Sequence, residues 1–578
     1  MSEEELSPEL ARLNMWRWQF RRRVAIAQGE YPAQLVLRGG HVVNVFTGEL
    51  ERADVAIDAG AIIGVGEFPE GREEIDVTGR IVAPSFIDGH IHIESSMLWL
   101  PEFARAVVPH GTGAIITDPH EMANVAGLAG IRAMRDAAAN LPLTIRFTAP
   151  SSVPGSEHES PGAIFGIDEI TEMLTWPETV ALGELMNFPG VITGDREIGA
   201  KLWASWGRLR DGHAPGLRGD ALQAYLNAGI HSDHESVSID EAREKLARGV
   251  FIMLREGTSE KNLRELLPLV TDATYPRFGF ASDDRDAHDL LTNGHVDDIL
   301  RTAIAAGLDP LRAIRLATWN VANHWHLTDL GAIAPGYRAN LVVLRDLETV
   351  DVEMTIFNGH VVARDGQLIE ELPTTEIPHE LEHTVHLAEL RLSQLALKPE
   401  HATQAIELVP DQIVTKLIDV EPVIVNGVAV ADITQDLLKI VSVERHNATG
   451  RVGVGYVRGF GLKRGALAST IAHDAHNIIA VGVSDTDILA AIATVADMQG
   501  GLAVVADGRV EAVVPLPIAG LMSAEPLTEL AKEYDALEDA ARALGSTVHS
   551  PFGQLVFLAL SVIPEARLTD RGLVTLRP

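Results

Sequence analysis

The chain of 578 residues has no cysteine at all. No disulfide framework is available, so nothing points to an oxidising compartment, and any metal must be held by nitrogen and oxygen. The zinc deaminase type that takes its ion on a Pro-Cys-x-x-Cys motif is ruled out by the same absence. Positive charge is scarce as well: 47 Lys and Arg stand against 81 Asp and Glu, a formal net charge of -34. Such a surface repels nucleic acid and anionic membranes and argues against either as a partner. A small neutral or cationic substrate fits better. No apolar segment approaches the ~20 residues of a membrane span, and Met1-Ser2-Glu3-Glu4-Glu5 is acidic where a signal peptide is basic. A cytoplasmic location is therefore expected. Residues Trp16 to Arg23 read as a short amphipathic helix packed on its own protein or on a second subunit, rather than on a membrane surface. A homo-oligomer, specifically a dimer, is expected.

Against these absences stands Ile87-Asp88-Gly89-His90-Ile91-His92-Ile93-Glu94, which follows the apolar run Ile81 to Phe86. Side chains on a strand alternate faces, so His90 and His92 point the same way. A strand apolar on both faces is typical of a parallel barrel, whose C-terminal end carries its chemistry. Seven further apolar runs follow: Thr112–Thr117, Leu143–Thr148, Thr179–Gly183, Leu209–Gly212, Ile230–Asp233, Val250–Leu254 and Phe278–Ser282. All but the one before Ala149-Pro150 lead into an ionisable residue, namely Asp118, Glu184, His213, His234, Arg255 and Asp283. Eight strands are the number a TIM-like (β/α)8 barrel needs.

A chain this long exceeds one core. Residues 34 to 66 alternate apolar and polar positions around turns, and a similar pattern returns from Gly331 to Val362. These segments predict a discontinuous flanking β-sandwich domain, its first part with the N-terminal helix in 1–83 and its second in 328–375, around a barrel of 84–327. The Pro- and Glu-bearing stretch from Leu372 to Glu380 reads as a linker. Beyond it, short strands (Ile440–Val443, Gly501–Val505) and helical segments (Asp485–Met498, Leu527–Leu544) predict an α+β domain over 380–578.

His90, His92, Glu184, His213, His234 and Asp283 supply four imidazoles and two carboxylates at one barrel mouth. Six ligands exceed one catalytic ion. Two divalent metals use them all, with His90, His92 and Asp283 on one, His213 and His234 on the other, and Glu184 between. His231 competes with His234, and Asp284 with Asp283. Oxygen-rich sites suit manganese or iron, with zinc as an alternative. Asp118-Pro119-His120-Glu121 reads either as polar contacts to a heterocycle or as a helix start capped by Asp118 with Pro119 at its first position. His473 and His476 read either as a hydrogen-bond network or as part of a lid or an extra metal site.

The His-x-His start, the closing Gly331-Ala332-Ile333-Ala334-Pro335-Gly336 and the split β domain resemble the amidohydrolase superfamily. Within it, Asp118 to Val125, Ser232-Asp233-His234-Glu235, Ile471 to Ile479 and Leu516 to Ser523 resemble the bacterial adenine deaminase family. Two departures from the superfamily stand out: Glu184 where many members carry a carboxylated lysine, and Asn340 where Asp is usual. The second should not touch catalysis. The resemblance implies hydrolysis of adenine to hypoxanthine and ammonia by a metal-bridged hydroxide, a step of purine salvage. Asp283 would then act as general base and afterwards as acid, Glu121 or Glu235 would protonate ring N1 if burial raises its pKa, and Asp118, His120, Glu121 and Asp284 would bind substrate. The rival readings are another amidohydrolase of the guanine deaminase or hydantoinase type, which would lack the C-terminal motifs, and a non-catalytic relative, which would have lost ligands.

Overall fold

The computed structural model describes residues 8–258, 260–373, 375–409 and 414–576, with side chains from residue 14 onward. The acidic residues 1–5 lie outside the described residues. All eight apolar runs form strands. Phe86–Ile91, Thr112–Thr117, Thr144–Ala149, Thr179–Leu185 and Leu209–Gly212 pair in parallel in chain order, as do Ser232–Asp233, Phe251–Arg255 and Phe278–Ala281. Two seams join these sheets into the barrel. At one, the Asp283 amide donates to His90 O at 2.9 Å and the His92 amide donates to Asp283 O at 3.0 Å. At the other, Gly212 runs so close to its neighbour that a Cβ there would fall 2.1 Å from Ser232 O, so only glycine fits.

The strands are apolar on both faces because both faces are covered. Ile116, Met253 and Ala281 pack inside the barrel with Val321 and Trp325. Their neighbours Ile252, Leu254 and Phe280 point outward onto Ile299, Leu300 and Ala303 of the helix Val296–Ala305. Capping fixes where several outer helices begin, Asp309 accepting from Arg312 N and Ser238 from Glu241 N, contacts typically contributing about 1 kcal/mol each.

The flanking strands before and after the barrel share one nine-stranded sheet. Leu341–Leu344 pairs antiparallel with Ile81–Pro84, so the chain enters and leaves the barrel side by side. Asn340 is buried there and accepts from Asn358 N at 2.8 Å, away from the barrel mouth.

The C-terminal part is built on an eight-stranded sheet. Along its strand Leu437–Val443 the side chains alternate as a covered strand requires. Val441 and Val443 face Ile488, Ala491 and Val495 of the helix Asp485–Asp497. Leu438 and Ile440 face the other way, into a cluster that includes Leu530 and Leu537 of the helix Leu527–Ala543 and continues to Phe103 and Met122 beside the barrel. The core is thus shared between barrel and C-terminal part. Backbone bonds from Trp99 N to Ser523 O and from Ser523 N to Met97 O, both 2.7 Å, add to this packing. Among the described residues no helix is long and apolar enough to cross a membrane.

Candidate metal centre

His90 and His92 leave the first strand on one side, as alternation demands. Each is oriented through its Nδ1: that of His90 lies 2.8 Å from Asp211 Oδ2, and that of His92 donates to Asp118 O at 2.8 Å. Such outer partners free the Nε2 atoms for a cation, and these lie 3.3 Å apart. Glu184, at the end of the fourth strand, divides its carboxylate. Oε1 is 3.2 Å from His92 Nε2 and 3.9 Å from His90 Nε2, while Oε2 is 2.7 Å from His213 Nδ1 and 3.2 Å from His234 Nε2. Asp283 Oδ1 lies 3.2 Å from His92 Nε2 and 3.6 Å from His90 Nε2. Asp283 has φ of 60°, a left-handed conformation uncommon for a side-chain-bearing residue, and it occurs at the seam that closes the barrel.

This donor set fits divalent cations. All six side chains are buried, and neither ring nitrogen of His234 makes a hydrogen bond although Glu184 is close. Close but misaligned nitrogen and oxygen atoms are what ligands turned toward a common ion present. His90, His92 and Glu184 form one group able to hold an ion, and Glu184, His213 and His234 another. Burial alone would raise the Glu184 carboxyl, but His213, then His234 and His92, hold it well below its ordinary value. Burial acts the same way on Asp283 and is overcome chiefly by Arg255. Burial disfavours charge on His213 and His234, yet Glu235 and Glu184 on the first, and Glu184 and Asp283 on the second, keep each at about 9. Protons and cations therefore compete for these nitrogens.

The remaining residues singled out in the sequence are placed differently. His231 is exposed, whereas His234 is buried among the donors. Asp284 is partly exposed and accepts from Ser95 Oγ. Asp118 is corrected as a helix cap: the cap position of the helix His120–Ala138 is Pro119, with no side-chain cap bond. Asp118 Oδ2 accepts from Glu184 N at 2.8 Å, an approach open because a Cβ on Gly183 would lie 2.3 Å from that oxygen. His120 sits between Glu184 Oε1 and Glu121 Oε1, 3.4 Å from each.

Glu121 lines the cavity described below. Burial does push its carboxyl up, but His473, His476 and His120 outweigh burial and hold it well below its ordinary value. Its Oε1 faces His473 Nδ1 and its Oε2 faces His476 Nε2. Glu235 binds the Arg255 guanidinium through both oxygens. Both His473 and His476 belong to a C-terminal loop held by Arg445, which donates to His476 O and to Ala519 O. Asp211 and Arg255 are functional neighbours that sequence reasoning gave no role. The available signal for Arg255 was a lone cation at a strand end otherwise followed by donors.

A cavity lies between barrel mouth and C-terminal part. On the barrel side Glu94, Ser95, Glu121 and Asp284 line it, adjacent in sequence to the donors or to His120, and Leu502, Phe552 and Phe557 line the opposite side. The ring of His473 stacks on Phe557 with centroids 4.6 Å apart.

An eight-stranded barrel presenting four imidazoles and two carboxylates at its mouth has the architecture of a metal-dependent amidohydrolase, and residues 81–362 match the amidohydrolase family model. Residues 412–578 match that of the adenine deaminase C-terminal domain. An adenine deaminase of Dehalococcoides mccartyi is 48% identical, over 95% of this chain and 96% of its own. Adenine deaminase 2 of Carboxydothermus hydrogenoformans is 46% identical over 95% and 97%, and an adenine deaminase of Methanothrix thermoacetophila 44% over 96% and 97%. Among solved structures, an atrazine chlorohydrolase mutant from Arthrobacter aurescens TC1 is 18% identical, covering 58% of this chain and 97% of its own with a TM-score of 0.46. The chain belongs to the adenine deaminase family.

Proposed function

We propose that this protein hydrolyses adenine to hypoxanthine and ammonia, in purine salvage in the cytoplasm. The observation that carries the reading is Glu184 offering one oxygen to His90 and His92 and the other to His213 and His234, beneath a cavity walled by the family's C-terminal domain. His90, His92 and Asp283 would hold one divalent ion, His213 and His234 a second, with Glu184 between them. Manganese or iron is the expected occupant and zinc a poorer one, since nitrogen and oxygen donors accept all three. Such ions would lower the pKa of water and so supply a nucleophile at neutral pH.

The side chains account for the proton traffic. Asp283 takes the proton from the attacking water and passes it to the departing amine, and Arg255, 2.5 Å from Oδ2, holds the carboxylate in place. Asp284 faces the cavity as a substrate contact. The apolar C-terminal wall excludes water from the reacting ring. A dimer is supported by the helix Pro8–Ala27, which leaves Trp16, Trp18 and Phe20 exposed.

A spectrophotometric assay of manganese- or iron-loaded enzyme on adenine, adenosine, guanine and cytosine tests the activity. Adenine should be turned over and adenosine should not, because polar groups shaped for a free imidazole N–H would be left unpaired by a glycosylated base. Comparable kcat/KM for adenine and adenosine would overturn the substrate assignment. Elemental analysis should return about two divalent ions per chain, as six ligands require.

A further inference from the structure

Of the buried carboxylate oxygens left without a hydrogen-bond partner among the described residues, Oε2 of Glu94 is the one whose residue lines the cavity. A buried acceptor without a donor is uncommon and destabilising, and one on a residue that lines a cavity can be satisfied by a ligand there. Glu94 is 3% exposed. Its position is fixed at every level. The backbone turns in a tight helical segment, Ile93–Ser96, where Met97 N donates to Glu94 O at 2.8 Å and Ser96 Oγ donates to Ile93 O at 2.6 Å. Met97 ends the turn with φ of 60° and binds Ser523 of the C-terminal part through its carbonyl. The carboxyl itself is anchored by Met122 N, which donates to Oε1 at 3.0 Å. The second oxygen is therefore held rigidly while unpartnered.

Asp118 and Asp474 also leave one oxygen unpartnered, but neither lines this cavity, and the other carboxylates near the donors have their own partners. Asp118 holds Glu184, Glu121 is gripped by two imidazoles, Glu235 is paired with Arg255, and Asp284 accepts from Ser95. Glu94 follows the donor His92 by two residues and lines the cavity together with Asp284, the neighbour of the donor Asp283. Resting on the adenine reading above, we propose that Glu94 is a substrate-contacting specificity residue whose Oε2 accepts an N–H from the amino group on C6 of the purine. The contact orients the ring with C6 toward the donors and selects bases that carry a donor at that position.

The test is kinetic and uses metal-loaded enzyme. Glu94→Gln preserves volume and the bond from Met122, but turns the free oxygen into an N–H donor that opposes the amine. Adenine turnover is compared with competitive inhibition by purine, which lacks the C6 amino group. The expected result is a loss on the order of 10- to 100-fold in adenine kcat/KM, with metal content unchanged and the purine inhibition constant within about threefold of wild type. Equal losses for both bases, no loss for either, or a fall in metal content each overturn the proposal. Glu94→Asp, which keeps an acceptor at shorter reach, should recover part of the adenine activity; failure to exceed the Gln variant counts against the contact. If wild type leaves adenine unchanged, the activity reading fails instead, and equilibrium affinities for adenine and purine in both proteins still decide the role of Glu94.

Discussion

The six-donor group and the trio Glu121, His473 and His476 are built from the same side chains, are equally buried and lie at the same barrel mouth, each within reach of a common ion. They differ in what they leave open. In the trio each oxygen of one carboxylate takes one imidazole, His473 held above its ordinary value beside the anion and His476 pushed below it by burial, so the groups close on one another. In the larger group each Glu184 oxygen faces two nitrogens, Oε1 those of His90 and His92 from the first strand and Oε2 those of His213 and His234 from two others, and His234 has no hydrogen bond. Donor chemistry is thus shared by a site that gathers cations and by a clasp between two parts of the chain. Saturation and approach direction separate them.

The sharpest way to break this comparison is Asp283→Asn, which leaves one donor oxygen and removes the proton carrier. Most of the metal should remain while deamination falls by about 10³-fold or more, read by elemental analysis beside steady-state kinetics. Asp284→Asn should be milder and act on KM. The reverse ranking would transfer the role to Asp284. Next in size is Glu121→Gln. Removing one partner of a buried ion pair costs about 3–5 kcal/mol, so the melting temperature should drop by several degrees at constant metal content. Loss of metal instead would merge the two groups into one.

The smallest effect concerns pH. Burial opposes charge on His473, but Glu121 holds it at about 9, above its ordinary value near 6.5. The stability this pair contributes is complete below about pH 6.5 and is lost as pH rises through about 9. On the acid side Glu121, held below its ordinary value, loses its contribution as pH falls through its depressed pKa. The melting temperature of wild type should therefore decline across the alkaline window, and the decline should be shallower in Glu121→Gln. Parallel curves for the two proteins would show that the clasp carries no such linkage.

Much of the barrel was legible because parallel strands covered on both faces leave continuous apolar runs. Thr112–Thr117 matches its expected bounds, and the helices Asp485–Asp497 and Leu527–Ala543 match theirs to within one residue. The donors were legible because strand ends carry them. What stayed hidden depends on contacts between distant segments. Nothing near Asp118 announces that it braces Glu184, 66 residues on, and nothing near Glu121 announces imidazoles more than 350 residues away. Glu94 was in plain view beside His92, but its importance lies in an oxygen that has no partner, a property only packing reveals.

Asp283 seals the barrel through its amide and carbonyl, and its carboxylate reaches the donor group. A nascent chain consequently lacks the full set of His90, His92 and Asp283 until its eighth strand is made, whereas Glu184, His213 and His234 are all present two strands earlier. The finished cavity meets whichever ions are free at that moment, and donors of nitrogen and oxygen discriminate weakly among manganese, iron and zinc. The ion such a shell takes up should therefore follow the conditions of synthesis, and two preparations of the same chain grown in different media should differ in metal content and in activity.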